Sequence, residues 1–450
     1  MKIQLALGGL LLSSLLNAES IDAALDGFND SPMEIEKQSK DIMDGFDDEN
    51  VSEVSDEETE LITGLTGKFT QFIAYSYNGT KPHNNITSLR TSLLLDYEHK
   101  FTNGWRFKIN AKTYYDTIYD IRDQFYTQDE LDNFQSEMRL YDAYLEGGIR
   151  ENIDLKLGRQ VVVWGRSDTI RITDILNPLD NRRPAIVDIE DLRLPVAMAK
   201  LDWFIGDWRI TPIAILEQHF SLNPPFGSAF NPIVDASFVE KSYNDVSYAL
   251  SIGGEFSGWD INFYAARVRD DVGYIDFSEQ PSLVHDKVNM FGTAFNVLSG
   301  AWLFKAELAY FDGLKYMATQ NKTFQRTDTL VGVEYKGIAD TLFSYDISVR
   351  YFNNYDTRLL SEINPLEKET YQHAFRVSSD FMNASLTANY LISLFGKKLD
   401  EGGFQRAWVK YELGEGINTN FGVVDYIGGS TLFDSVKDND MIFVDISYSF

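Results

Sequence analysis

The last ten residues of the chain read Met441-Ile442-Phe443-Val444-Asp445-Ile446-Ser447-Tyr448-Ser449-Phe450. The even-numbered positions from Ile442 to Phe450 are all apolar, and the odd-numbered positions between them are polar except for Phe443. Because side chains alternate between the two faces of a strand, this pattern predicts a β-strand with one apolar face. Such a strand could close a membrane barrel or a soluble sandwich, and the remaining sequence decides between the two.

The same ending resembles the C-terminal signal of Gram-negative outer-membrane β-barrels, which the barrel-assembly machinery reads. Ile446, Tyr448 and Phe450 are the residues that would carry the signal here. Aromatic residues make up 14% of the chain, mostly Phe and Tyr, which favour strands and suit a membrane–water interface. Outer-membrane lipid and the assembly machinery are therefore the expected partners.

From Leu61 onward, the chain divides into alternating segments of the length that tilted membrane strands require. Eighteen strands are predicted, with sixteen as the alternative, at 65–77, 87–100, 104–116, 137–150, 152–163, 194–204, 207–218, 244–257, 259–270, 284–298, 301–312, 325–337, 342–354, 369–380, 383–395, 403–413, 417–427 and 440–450. Short connections alternate with long ones, as in barrels with tight periplasmic turns and long outer loops. The predicted fold is an all-β transmembrane antiparallel up-and-down barrel.

The positions of the tryptophans agree with this arrangement of short and long connections. Five of the seven tryptophans lie beside short connections, namely Trp105, Trp203, Trp208, Trp259 and Trp302. Tryptophan prefers the membrane–water interface, where its ring is buried and its N–H stays hydrated. The short connections therefore mark one rim of the barrel.

Charged residues within these strands identify the face that looks into the barrel. In 104–116, Arg106, Lys108 and Lys112 share a parity opposite to that of the neighbouring apolar residues. A charge on the lipid face costs about 2–4 kcal/mol at mid-membrane, so these side chains are expected in the lumen. The same rule gives further lumen candidates: Asp154, Lys156, Lys200, Asp202, Arg267, Arg269, Asp346, Arg350, Lys410 and Glu412.

The N-terminal residues differ from the rest of the chain. Residues 1–18 are predicted to be a secretory signal peptide, with a cut after Ala18. Residues 19–60 are predicted to be an acidic periplasmic segment, partly helical or disordered, which carries half of the formal net charge of −28. This charge balance argues against nucleic acid as a partner. The barrel is expected over 61–450.

Two short elements of the acidic segment repeat the order Asp-Gly-Phe, at 26–28 and at 44–46. Each places one aromatic residue, Phe28 or Phe46, among carboxylates. The segment is either a solvated linker or a pair of docking motifs for a periplasmic partner such as a transporter domain.

The stretch from Leu155 to Leu194 contains a strand end Leu157-Gly158-Arg159-Gln160, a Trp164-Gly165 step and a loop with Asn177-Pro178. These features resemble a family of proteobacterial outer-membrane barrels known as domain of unknown function 1302, which is related to alginate-export-type porins. Family members are often encoded beside exporters of the RND/MMPL type. The resemblance therefore implies an outer-membrane barrel, with a role in an export or lipid-trafficking system as an alternative.

The long connection in this stretch balances arginines against carboxylates. It carries Arg159, Arg166, Arg171, Arg182, Arg183 and Arg193 against Asp168, Asp174, Asp180, Asp188, Glu190 and Asp191. We expect the loop to fold inward and narrow the pore through Arg–carboxylate pairs. The alternative is an outer loop that the same pairs brace above the rim. A second loop, from His219 to Tyr243, is apolar and either plugs the barrel, admits a hydrophobic solute or packs against its neighbours.

The sequence contains no recognisable catalytic constellation. The chain has no cysteine, and its five histidines are scattered without a metal-binding motif, so no enzyme activity, metal or cofactor is expected. The leading function is a porin-like outer-membrane channel for small or hydrophobic solutes. The alternatives are an export component that docks through residues 19–60 and a non-conducting structural or adhesive barrel.

Overall fold

Eighteen antiparallel strands form one sheet that closes on itself. The computed structural model of the protein describes residues 64–186, 192–231 and 238–450. The strands are β1 Leu65–Ser76, β2 Asn85–Lys100, β3 Arg106–Asp116, β4 Ser136–Arg150, β5 Ile153–Gln160, β6 Val196–Ile205, β7 Trp208–Ile215, β8 Ser247–Phe256, β9 Trp259–Arg269, β10 Lys287–Ser299, β11 Trp302–Leu314, β12 Phe324–Ile338, β13 Thr341–Phe352, β14 Glu369–Phe381, β15 Leu386–Phe395, β16 Gly403–Gly414, β17 Ile417–Ile427 and β18 Met441–Ser449. The predicted barrel and its eighteen strands are confirmed.

Several of the predicted features fall outside the described residues. These are the signal peptide at 1–18, the acidic segment at 19–60 with Phe28 and Phe46, and three acids of the arginine-rich connection, Asp188, Glu190 and Asp191.

The first and last strands complete the barrel. β1 pairs with β2 on one side and with β18 on the other, so that Phe69 lies opposite Tyr448 and Ile73 opposite Val444. The ring of Phe450 lies over Gly67, where a Cβ atom would collide with it. The aromatic end of the chain is therefore part of the closing seam, and its reading by the assembly machinery stays a prediction.

The last strand also shows how the two faces of the wall differ. Val444, Ile446 and Tyr448 are apolar or aromatic, yet they are 38–49% exposed, as on a lipid-facing surface. Phe443, which interrupts the polar parity, is 1% exposed because it points into the barrel and stacks on Phe72 with 6.2 Å between ring centroids. The sequence exception at position 443 is therefore an interior contact.

Short turns and long loops lie at opposite ends of the barrel, here named the short-turn end and the long-loop end. Trp203, Trp208, Trp259 and Trp302 are 38–45% exposed and lie at the short-turn end. Trp164 and Trp408 are at most 5% exposed and lie in the interior.

The long loops contain the remaining elements. The helices are α1 Ile118–Ile121, α2 Gln128–Phe134 and α3 Thr431–Val436. Short 3-10 turns occupy Asp123–Phe125, Met317–Thr319 and Thr357–Ser361, and a small sheet joins Val239–Glu240, Tyr274–Asp276 and Ser282–Val284. Among the described residues, no helix has both the length and the apolarity that crossing a membrane requires.

Two predicted strands run three residues past the observed end: 207–218, where β7 ends at Ile215, and 152–163, which matters for the lumen. The alternating pattern predicts a strand over 152–163, but β5 ends at Gln160. The apolar run that follows leaves the wall, and the backbone N–H of Val162 donates to the Asn177 side chain at 2.8 Å in place of a strand partner. A side-chain acceptor from the following loop thus ends the strand.

Candidate functional site in the barrel lumen

A long loop between β5 and β6 lies inside the barrel. This inner loop comprises residues 161–186 and 192–195 in the described structure. Near its start, Trp164 stacks on Tyr264 of β9 with 4.6 Å between ring centroids, and Tyr264 has lumen-facing parity. The ion pair of Arg166 with Asp260 attaches the loop to the same strand. The loop therefore projects into the lumen at this wall.

The carboxylate of Glu307 on β11 holds the loop backbone. It accepts the N–H groups of Arg166 at 2.6 Å and Ser167 at 2.9 Å, and the hydroxyl of Thr173 at 2.8 Å. Glu307 is only 4% exposed. A buried carboxylate is costly unless donors surround it, and the loop supplies those donors.

A second polar cluster attaches the loop to β11 and β13. Asp346 accepts the hydroxyls of Ser167, at 2.8 Å, and Thr169. Lys305 lies 3.2 Å from Asp168 and also pairs with Glu334 of β12. Burial raises the pKa of Asp168 to about 6, although Lys305 works in the opposite direction. We call the lumen side of β9–β13 the covered wall, because the inner loop lies on it.

The loop returns to its own base through polar contacts. Asp174 accepts from Arg193 at 2.9 Å and lies 3.4 Å from Arg171. The amide of Asn177 donates to the carbonyl oxygens of Gln160 at 3.2 Å and Leu194 at 2.9 Å. These bonds tie the two ends of the loop together.

The far part of the loop reaches the opposite side of the barrel. Arg182 lies 2.7 Å from Glu137 of β4, and Arg183 lies 3.1 Å from Asp116 of β3. Burial opposes ionisation of Asp180, but Arg182 beside it lowers the pKa of that carboxyl. We call the pairs of Arg182 and Arg183 with Glu137 and Asp116 the arginine clamp. The inner loop thus crosses the lumen.

The second apolar loop packs against the inner loop and its neighbours. Leu222 donates its N–H to the carbonyl of Leu179, and Asn181 donates to the carbonyl of Leu222, both at 2.8 Å. Phe230 is 7% exposed and lies 5.2 Å from the ring of Tyr426. The apolar residues in the described part of this loop therefore help to hold the inner loop inside the barrel.

The lumen side of β2–β6 is different, and we call it the charged wall. Arg106 pairs with Glu146 at 2.6 Å, Lys108 with Asp96 at 3.1 Å, and Lys200 with Asp202 at 2.8 Å. The basic side chains Arg106, Lys108, Lys156 and Lys200 are between 21% and 35% exposed.

A space of about 610 Å³ adjoins Arg106, Glu146, Lys156 and Lys200 near the short-turn end. This wall is accessible to solvent and carries both signs of charge.

Most predicted lumen residues have lumen-facing parity or belong to the inner loop. On the wall these are Arg106, Lys108, Lys112, Asp154, Lys156, Lys200, Asp202, Asp346, Arg350, Lys410 and Glu412. In the inner loop they are Arg166, Asp168, Arg171, Asp174, Arg182, Arg183 and Arg193. Among these, Arg350 lies 3.8 Å from Asp328, on the covered wall.

Three predicted lumen residues do not face the lumen. Arg159 has the parity of outward-facing Leu157, and Arg267 and Arg269 have that of outward-facing Phe263. The prediction is wrong for them because all three lie near the long-loop end. There the cost of an outward charge falls to about 0–1 kcal/mol, so strand charges need not turn inward.

Lys305 and Glu307 were not among the predicted lumen residues, although both share the lumen parity of β11. Their parity would have placed them inside. Their partners would not have been found, because the loop residues that bind Glu307 lie about 140 positions away in the chain. The described residues contain no group of three or more His, Asp or Glu side chains placed to hold a metal ion.

A closed barrel of eighteen strands, with a polar lumen and a loop folded across it, defines a porin-like β-barrel. The chain belongs to the family described as protein of unknown function (DUF1302), whose model matches residues 74–450. No curated protein matches the chain in sequence.

Solved structures with a similar fold share little sequence with this chain. OccAB3 from Acinetobacter baumannii is 11% identical, with a TM-score of 0.53 over 86% of this chain and 98% of its own. The outer membrane protein OpdK from Pseudomonas aeruginosa is 10% identical, with a TM-score of 0.52 over 86% and 98%. A structure of OpdK with vanillate is 9% identical, with a TM-score of 0.51 over the same shares. At these identities the likeness concerns the fold.

Proposed function

We propose that the protein is a porin-like channel in the outer membrane that passes small polar solutes along the charged wall. The observation that carries the proposal is the unequal lining of the lumen. The inner loop buries Lys305 and Glu307 to at most 4% exposure, whereas basic side chains of the charged wall keep 21–35%. Along the charged wall, water and solutes therefore have an accessible polar surface, which the covered wall lacks around Lys305 and Glu307.

In this proposal the short-turn end faces the periplasm and the long-loop end faces the outside, as in other barrels with this arrangement of connections. The charged wall carries acids and bases in alternation, which favours small hydrophilic or zwitterionic solutes over hydrophobic ones. The apolar side chain of Phe230 is buried among loop residues, which agrees with a polar path.

The arginine clamp is the proposed constriction. It lies where the inner loop meets the ends of β3 and β4, at the top of the charged wall. A solute that moves along this wall toward the long-loop end reaches Arg182 and Arg183. Guanidinium groups bind carboxylates in charge-assisted pairs, so an anionic solute could exchange with Asp116 or Glu137 at this point.

The test is conductance of the full-length protein in planar bilayers, with vanillate among the test solutes. The proposal expects discrete conductance, and it expects the double substitution R182Q/R183Q to raise that conductance severalfold because the clamp opens. Arg358→Gln is the matched control, since Arg358 is an exposed loop arginine 2.8 Å from Asp356. A folded protein that never conducts would refute the channel. Equal conductance of the clamp variant and the control would refute the constriction.

A further inference from the structure

An exposed arginine stands on the outer surface of the barrel. Arg267 has outward parity on β9, and its register neighbours are Tyr248 of β8 and Asn289 of β10. Tyr248 is 61% exposed on the same face. Within the described part of the chain, Arg267 has no carboxylate partner.

Two further cations flank Arg267 on this face. Arg269 follows two residues later on β9, and Lys287 of β10 lies directly opposite Arg269. Both bind the same carboxylate, Asp245, with Arg269 Nε at 3.0 Å. The next acid on this face, Asp312 of β11, accepts from Gln325 at 3.1 Å. Positive charge is therefore in excess around Arg267, in a chain whose formal net charge is −28.

The depth of Arg267 places it at the edge of the apolar belt. Trp259 begins β9 at the short-turn end, and Arg267 follows eight residues later. At roughly 3.4 Å per residue and a tilt of about 40°, the Cα atom of Arg267 stands about 20 Å above that of Trp259. The apolar band of such barrels is about 25 Å tall, so this Cα atom lies about 5 Å below its upper edge, and the long side chain of Arg267 can extend to the headgroup level of the outer leaflet.

We propose that Arg267, supported by Arg269 and Lys287, binds the phosphate group of an outer-leaflet glycolipid of the lipid A type. A guanidinium at this depth needs polar partners, and a phosphate accepts its planar N–H groups in a bidentate pair. Positive side chains near a membrane surface also attract anionic headgroups. The inference rests on the outer-membrane location contained in the proposed function.

Native mass spectrometry of the full-length protein in detergent tests this proposal. The probes are diphosphorylated lipid A and the same glycolipid without phosphates. The wild type should retain lipid A and bind the phosphate-free form more weakly. Arg267→Gln should bind lipid A about tenfold more weakly, and Arg267→Lys should recover part of the affinity. Arg150→Gln is the control, because Arg150 is exposed at the short-turn end.

Two outcomes would overturn the proposal: equal retention of both glycolipids by the wild type, or equal lipid A affinity in R267Q and R150Q. Circular dichroism verifies that each variant is folded. Conductance of R267Q should equal that of the wild type, because the residue is outside the lumen. A wild type that conducts but retains both glycolipids equally would therefore refute this site and leave the channel standing.

Discussion

The covered wall and the charged wall line the same lumen, and both contain charged side chains. On the covered wall, Glu307 and Lys305 are at most 4% exposed, and the inner loop supplies their partners. On the charged wall, Arg106 and Lys108 keep 35% and 25% exposure, and their partners are neighbouring strand residues. The difference shows that a charge in the lumen has two uses: it can hold a loop in place or line a hydrated path.

The largest expected effect comes from comparing one substitution on the covered wall with a matched substitution on the charged wall. Glu307→Gln replaces an acceptor of four loop donors with an amide that cannot accept them all, at a cost of about 3 kcal/mol. The loop should detach, so trypsin should cut the folded barrel at Arg166 or Arg171 and conductance should rise.

Glu146→Gln is the matched change on the charged wall, where Glu146 is 32% exposed. A pair exposed in this way contributes about 1 kcal/mol or less, so the loop should remain resistant to trypsin. Equal resistance of the Glu307 and Glu146 variants would contradict the anchoring role of the covered wall.

The smallest expected effect depends on pH. Burial raises the pKa of Asp168 to about 6 from an ordinary 3.8, so the folded protein binds a proton there as the pH falls from 7 to 5. Because burial disfavours the charged carboxylate in the folded state, the free energy of unfolding rises slightly as the pH falls through 6. Protonation of Asp168 also removes one negative charge from the lumen, which should shift ion selectivity toward anions. Reversal potentials at pH 7 and 5 check this.

Asp168→Asn provides the control for the pH effect, because its side chain cannot titrate. Its selectivity should be the same at both pH values. A wild type and an Asp168→Asn variant with identical pH dependence would rule out Asp168 as the source.

The sequence could predict the barrel because strand alternation and connection lengths are local signals. The C-terminal pattern from Ile442 to Phe450 gave the correct faces, and the single exception at Phe443 proved to be an interior contact. The rule that sends charges inward worked within the apolar belt, as for Lys108 on β3. It failed for Arg267 because the membrane stops penalising charges near its surface.

The candidate site could be predicted only in part. The balance of arginines and acids indicated an ordered loop, and the structure brings Arg182 and Arg183 to Glu137 and Asp116. Nothing local to β11 shows that Glu307 binds the backbone of that loop, since such N–H donors have no sequence signature. Which wall stays hydrated depends on where the loop lies, and that follows from these distant contacts.

Thiol labelling tests most directly the claim that one wall is hydrated and the other is covered. The chain contains no cysteine, so a single new thiol is the only reactive one. Ser92→Cys places it on the lumen side of β2, where Ser92 is partly exposed, and Ala309→Cys places it on β11, where Ala309 is 0% exposed. With a water-soluble thiol reagent on the folded protein, Ser92→Cys should react on the order of tenfold or more faster. Equal rates, or faster labelling at position 309, would contradict the account.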